Sequence, residues 1–175
     1  FLLDESALDK IVAAAELTPD DTVLEIGPGP GPLTRRLATH AGRVIAVELD
    51  GRMVELLRTE VAVGLPAEVV QADILTLDLG ELMAARGVAH YKIVANLPYY
   101  ITSAVLRHIF EASLKPTRVV VLVQREVAER IVAKPPDMNL LGVSVQLFGA
   151  PRVVARVPAG AFYPPPKVDS SVVRI

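Results

Sequence analysis

Cysteine is absent from the 175 residues, and that absence removes disulfide frameworks, thiolate metal sites and cysteine nucleophiles from consideration. A reducing cytosol is compatible with such a composition, and a cytoplasmic protein is the expectation. Neither sign of charge dominates: 18 Lys and Arg stand against 20 Asp and Glu, for a net charge of -2. A chain so near neutrality is not a basic, non-specific nucleic-acid binder, although a local basic face remains open to it. No apolar run approaches the ~20 residues that span a bilayer. The start lacks a cationic region followed by an apolar stretch, so no signal peptide is visible. It also lacks an initiator methionine, as a trimmed chain would. Repeats, linkers and low-complexity runs are missing, Pro164-Pro165-Pro166 aside. His40, His90 and His108 are scattered without metal-ligand spacing, so no metal site is expected.

What is present reads as one globular domain. Hydrophobic residues make up 51% and charged residues 22%, the balance of a packed protein and not of a disordered one. One domain is the expectation at this length, and it should bury about 70% of the unfolded chain's surface. Helical and strand-like periodicities alternate. Ser6 to Leu17 puts Leu8, Ile11, Val12 and Ala15 on one helical face, with Ser6 or Asp4 as its cap. After the break at Pro19-Asp20-Asp21, strands are read at Thr22–Ile26, Arg43–Glu48, Glu68–Gln71, Tyr91–Ala95 and Arg118–Val123. Helices are read at Leu33–His40, Arg52–Val63, Leu79–Arg86, Thr102–Glu111 and Glu126–Ala133. This alternation implies a parallel sheet covered on both faces, a doubly wound α/β domain. Val119–Val123 is the uninterrupted apolar run of a strand buried on both sides. Arg152–Val157 and Ser170–Ile175 read as a hairpin at the sheet edge, joined by a proline-rich loop.

The loop Glu25-Ile26-Gly27-Pro28-Gly29-Pro30-Gly31 sits where the first strand hands over to a helix. Glycines there let the backbone pass close to a ligand and expose amides at the helix start. Glu48 ends the second strand roughly twenty residues on, where a nucleotide-binding α/β fold has the carboxylate that accepts both ribose hydroxyls. A tight turn with a surface glutamate is the alternative. The spacing departs from the dinucleotide pattern G-x-G-x-x-G because the third glycine comes one residue early. Pro28, Pro30 and Pro32 also remove amide donors that a pyrophosphate would use. A nucleoside ligand without phosphate, such as S-adenosylmethionine, suits the loop better. Asp73, after the third strand, can accept from an adenine amino group; a cap within the turn Ala72-Asp73-Ile74-Leu75 is its other reading.

Asn96-Leu97-Pro98-Tyr99-Tyr100 follows the fourth strand at the carboxyl edge, where such sheets bind ligands. These residue types suit methyl transfer to an adenine amino group, a poor nucleophile whose lone pair is delocalised into the ring. To attack a methyl sulfonium the amino group needs acceptors that hold its hydrogens and favour a pyramidal nitrogen. The Asn96 side-chain oxygen and the backbone carbonyl after it supply two. Pro98 fixes the backbone that aims that carbonyl, and Tyr99 offers a ring face on which a base stacks. No strong general base is required, because the methylated ammonium product is acidic and loses its proton to water. A turn carrying two half-buried tyrosines is the alternative.

In this order and setting the residues resemble the catalytic domain of the small-subunit rRNA adenine-N6,N6-dimethyltransferases, the family whose loss gives kasugamycin resistance. The matching stretches run through nearly the whole chain: Phe1-Leu2-Leu3-Asp4, Glu25 to Thr34, Val47-Glu48-Leu49-Asp50, Ala72-Asp73-Ile74, Asn96 to Tyr100, Val123 to Ala128 and Phe162 to Val173. The resemblance implies a Rossmann-like class I methyltransferase fold with a mostly parallel seven-stranded sheet and an antiparallel edge hairpin. It implies S-adenosylmethionine as methyl donor and S-adenosylhomocysteine as product, in a site lined by Leu2, Glu25, Gly27, Gly29, Glu48, Leu49, Asp73, Ile74 and Asn96. Asn96, Leu97, Pro98, Tyr99 and Phe162 would be catalytic, with Tyr99 and Phe162 sandwiching the target base. The implied substrate is a pair of adjacent adenosines in small-subunit rRNA, within an immature ribosomal small subunit. The implied enzyme is monomeric, with no metal and no membrane partner.

Leu97 separates the motif from DNA adenine and protein glutamine methyltransferases, which usually carry proline there. Phe162-Tyr163-Pro164-Pro165-Pro166-Lys167-Val168-Asp169-Ser170 is the more specific marker, pairing the second aromatic with a rigid, basic segment. Three departures stand out. The family's glycine-glutamine-asparagine run is missing ahead of Phe1, the small helical domain expected after Ile175 is missing too, and Pro135 to Leu141 lacks the usual tyrosine-glycine pair. On this reading residues 1–175 are the catalytic domain. Lys167, Arg125, Arg130, Lys134 and Arg152 are candidates for a basic rim that meets phosphates, solvated surface charge being the alternative for each. Two rival functions remain: a large-subunit rRNA adenine methyltransferase of the macrolide-resistance type, and a non-catalytic ribosome-assembly or transcription factor on the same fold. Leu97 and the Phe162–Ser170 loop lean away from the first, and the intact Asn96-Leu97-Pro98-Tyr99 from the second.

Overall fold

Asp4, and not Ser6, starts the first helix: its side chain accepts from Ala7 N at 2.7 Å, and α1 runs Glu5–Ala15. The computed structural model describes all residues from 1 to 175. The helix stops at Glu16, which adopts a left-handed conformation (φ 47°) and sends its amide back to Ala13 O. The Glu16 carboxylate takes Arg118 at 2.6 Å and Arg174 at 2.5 Å, which ties the helix end to the base of the sheet.

The strands are β1 Thr22–Ile26, β2 Arg43–Glu48, β3 Ala67–Gln71, β4 Lys92–Asn96, β5 Arg118–Gln124, β6 Arg152–Val157 and β7 Ser170–Arg174. They form one seven-stranded sheet ordered β3-β2-β1-β4-β5-β7-β6. β1 to β5 are parallel, while β7 runs antiparallel to both β5 and β6. The doubly wound α/β expectation holds, with one refinement at the hairpin. The later strand, β7, lies inside and β6 forms the edge. Burial explains it: Val172 and Val173 of β7 are 0% exposed, whereas Val153 and Val154 of β6 face solvent beside a register shift. Because β7 is antiparallel, its first residue lies at the same edge as the carboxyl ends of β4 and β5. The loop that precedes it therefore arrives there too.

The remaining helices are α2 Pro32–Ala38, α3 Gly51–Leu56, α4 Leu79–Ala84, α5 Thr102–Glu111, α6 Arg125–Val132 and α7 Leu140–Gln146. Alternate residues of the strands feed two cores. Val23, Val44, Val94, Val120 and Leu122 pack against α1 and α2. Leu24, Ile45, Ile93, Val121 and Val123 pack against α4 to α7 on the opposite face. Continuous apolar strands follow from this two-sided burial.

Two elements differ from the sequence pattern. The helix expected over Arg52–Val63 is α only to Leu56 and then widens over Leu57–Val61, where Ala62 N reaches Leu57 O. α7 was not legible at all. Gly142 weakens its short apolar pattern, and it exists because Asn139 caps it (Gly142 N to Oδ1, 3.0 Å) while donating to Arg130 O at the end of α6.

Candidate active site

The loop between β1 and α2 is shaped by its glycines. Gly27 (φ 65°) donates to Val47 O at 2.9 Å, which seats the loop over β2. Gly31 (φ 83°) starts α2, and a Cβ there would lie 2.7 Å from Val61 and 2.8 Å from Leu57. Glu48, at the end of β2, gathers three amides: Gly29 N on Oε2 at 3.0 Å, and Leu49 N and Asp50 N on Oε1 at 2.8 and 3.0 Å. Its carboxylate is thus aimed at the loop by the backbone itself. One acceptor direction on Oε2 remains for a ligand.

A cleft of about 540 Å³ opens above this loop. It brings together Gly27, Glu48, Asn96, Leu97, Pro98, Tyr99 and Phe162, all singled out in the sequence. Asn96 is the last residue of β4, and the Leu97 carbonyl accepts from no backbone amide, so both acceptors of the motif are free at the strand end. Pro98 O takes Ile101 N and Thr102 Oγ1, each at 3.2 Å, closing the turn that presents Tyr99. The Tyr99 phenol lies 2.8 Å from Ser170 Oγ. Phe162 comes from the loop before β7 and is held by an antiparallel bridge to Leu2.

Six sequence candidates lie off the cleft wall. Leu2 is 3% exposed, and its side chain belongs to the core beneath α1; Phe1 lines the cleft in its place, its ring 3.1 Å from where a Gly29 Cβ would stand. Gly29 meets the site through its amide to Glu48. Leu49 is exposed, and Ile74 packs into the core with α4 and α5. Asp73 caps its own turn, Oδ1 accepting Leu75 N at 2.9 Å. Glu25 is 1% exposed, and neither of its oxygens nor Thr34 Oγ1 makes a hydrogen bond. Burial pushes the Glu25 carboxyl up to about 8; the Thr34 hydroxyl nearby pulls the other way, and the Glu48 charge adds to the rise.

Asp50, Arg52, Met53, Pro164 and Pro166 complete the wall; none of them has a site role in the sequence, although Asp50 and the two prolines lie in stretches that carry the family resemblance. Asp50 carried a signal, as an N-cap accepting Arg52 N at 2.9 Å; Arg52 bonds to its carboxylate and holds it near 2. The basic rim is not one cluster. Arg125 and Lys167 share a neighbouring cleft of about 320 Å³, Arg130 lines a separate cavity between α5 and α7, and Arg152 begins β6. His40 and His108 each donate to a nearby carbonyl, and no three His, Asp or Glu side chains converge as a metal site would require.

The family model described as ribosomal RNA adenine dimethylase matches residues 1–175. The chain belongs to that family. Among curated relatives of this dimethylase-family chain is the ribosomal RNA small subunit methyltransferase A of Dehalococcoides mccartyi strain CBDB1, 53% identical over 100% of this chain and 60% of the relative. Among solved structures, a dimethyladenosine transferase from Plasmodium falciparum superposes with a TM-score of 0.84 at 32% identity, covering 99% of this chain and 62% of that one. The 23S rRNA methyltransferase ErmE superposes with a TM-score of 0.87 at 35% identity, covering 99% and 68%. Shape alone does not separate those two. The chain spans about 60% of the length of the curated relatives it matches.

Proposed function

We propose that residues 1–175 are the catalytic domain of an S-adenosylmethionine-dependent enzyme that dimethylates N6 of two adjacent adenosines in small-subunit rRNA. The observation that carries this reading is the cleft itself: Glu48 and the glycine loop at one end, the acceptors of Asn96 and Leu97 in the middle, and Tyr99 and Phe162 at the other. When bound, S-adenosylmethionine supplies a methyl group on a sulfonium. The chain's residues fit that cofactor. Glu48 offers an acceptor to the ribose, Asp73 keeps its second oxygen for an adenine amino group, and the orphaned Glu25 carboxyl answers the cofactor's ammonium. Leu2, Leu49 and Ile74 contribute through backbone and packing.

At the acceptor end the Asn96 side-chain oxygen and the Leu97 carbonyl hold the two amino hydrogens, so that the nitrogen lone pair turns toward the donor. Pro98 fixes the Leu97 carbonyl, and Tyr99 and Phe162 hold an extruded base between their rings, where stacking contributes about 1–3 kcal/mol. The nitrogen's proton leaves to water once the methyl is attached. The Leu97 motif, the Phe162–Ser170 loop and the names of the relatives favour small-subunit rRNA over the large-subunit alternative. The substrate is then an immature ribosomal small subunit, the enzyme a monomer in the cytoplasm, and a helical domain following Ile175 assists docking. No helix here is long and apolar enough to cross a membrane. The test is tritiated-methyl transfer by the full-length protein to small and large subunits from unmodified strains. Label in two adjacent small-subunit adenosines is expected; label in large-subunit RNA alone overturns the reading in favour of the macrolide-resistance class.

A further inference from the structure

Ser170 is a polar residue at a place built for an apolar one. It is 0% exposed at the head of β7, on a strand whose Val172 and Val173 are equally buried. A hydroxyl there is unfavourable unless it finds a partner, and its partner is the phenol of Tyr99, 2.8 Å away and 71 residues distant in sequence. The two groups differ in how firmly they are held. Ser170 sits in register with Gln124 of β5 and with Val157 of β6, so ladders on both sides fix its backbone. Tyr99 stands in a turn outside the sheet, only partly buried, with its ring on the cleft wall. The phenolic oxygen is the far end of that side chain. The bond fixes where the ring's long axis points, and so where the ring stands along the cleft, which packing against one wall of an open cleft does not.

Ser170 also ends the loop that carries Phe162. One hydrogen bond therefore links the segment bearing the first aromatic to the strand that anchors the second. We propose that Ser170 is a positioning residue: it locks the Tyr99 ring at a set spacing from Phe162, so that the base between them presents its amino group to Asn96 and Leu97. This rests on the reading of the cleft as an adenine site.

The experiment uses the full-length protein and compares wild type, Ser170→Ala, Tyr99→Phe and the double variant. Each single change deletes the same hydrogen bond from one side. Each should lower kcat for RNA methylation by about 5- to 100-fold, the range between losing one hydrogen bond and misplacing a reacting group by an ångström. S-adenosylhomocysteine affinity should stay within about twofold of wild type, and the double variant should lose no more than either single. With 2-aminopurine in place of the target adenine, stacking quenches fluorescence in the wild type and should do so less in both variants. A purely structural serine would lower the melting temperature and leave kcat and the quenching alone. Unchanged kcat in the variants of an active wild type, or losses that multiply in the double, overturn the inference while leaving the adenine reading intact. Should Ser170→Ala fail to fold, Tyr99→Phe carries the test, and full kcat in it is the overturning result. A wild type that binds the cofactor product and methylates no RNA overturns the adenine reading, and this inference with it.

Discussion

Glu25 makes the sharpest test, because its effects on stability and on binding run in opposite directions. In the ligand-free protein its carboxyl is fully buried without a hydrogen bond, and its pKa rises from an ordinary 4.5 to about 8. A carboxyl raised on folding binds its proton more tightly in the folded state. Stability is therefore full below about 4.5, falls as pH rises, and levels off above about 8. At about 1.4 kcal/mol per pH unit the whole loss is on the order of 5 kcal/mol, of which about 2–3 kcal/mol falls between pH 5 and 7. Glu25→Gln keeps the shape and removes the titration. Urea denaturation of the ligand-free protein at pH 5, 6, 7 and 8 should show wild-type stability falling along that curve while the variant stays flat. The variant should be the more stable of the two by several kcal/mol at pH 8. Its affinity for S-adenosylhomocysteine should nonetheless collapse, because the amide cannot neutralise an ammonium. Wild-type affinity should rise with pH toward 8, approaching tenfold per unit, as binding ionises the carboxyl. Parallel stability curves for the two proteins would falsify the account of a buried, unpartnered acid.

Other outcomes follow from the same site. S-adenosylhomocysteine at a hundred times its dissociation constant should stabilise the chain by about 2.7 kcal/mol. Glu48→Ala should weaken that ligand by roughly 1.5–3 kcal/mol, by calorimetry, and also lower the melting temperature, since it strips three loop amides of their acceptor. Binding of NADH in place of the methyl-donor product would refute the cofactor assignment. Asn96→Ala should cut kcat far more than stability, because in the proposed mechanism its oxygen acts on the adenine amino group in the transition state. Tyr99→Ala combined with Phe162→Ala should abolish capture of the base, and full activity in that double variant sinks the sandwich. Residues 1–175 alone should unfold cooperatively and keep at least weak, reduced cofactor affinity while methylating small subunits poorly, since a net charge of -2 provides little long-range attraction to an anionic particle. Equal methyl transfer by this chain and the full-length protein, compared at two salt concentrations, would place docking within this domain.

The sequence by itself determined the parallel strands, the glycine loop and the Asn96-Leu97-Pro98-Tyr99 turn at the end of β4, because each is written in local spacing. Strands buried on two faces read as unbroken apolar runs, as Val119–Val123 does. Gly27, Gly29 and Gly31 all adopt the positive φ that their residue type allows. What the tertiary structure decided are the pairings that join distant segments. β7 inserts between β5 and β6, an order set by burial of Val172 and Val173, and only that insertion carries Phe162 and Ser170 to the edge where Asn96 and Tyr99 stand. The bridge of Leu2 to Phe162 sends the leucine into the core and puts Phe1 on the cleft wall, an exchange that no neighbour in sequence signals. α7 depends on a cap that reaches back to α6, so its seven residues lack a helical pattern strong enough to read alone. Glu25 looks in sequence like any acidic residue ending a strand. The packing around it leaves both oxygens without a hydrogen bond and holds the carboxyl in its protonated, neutral form up to about pH 8.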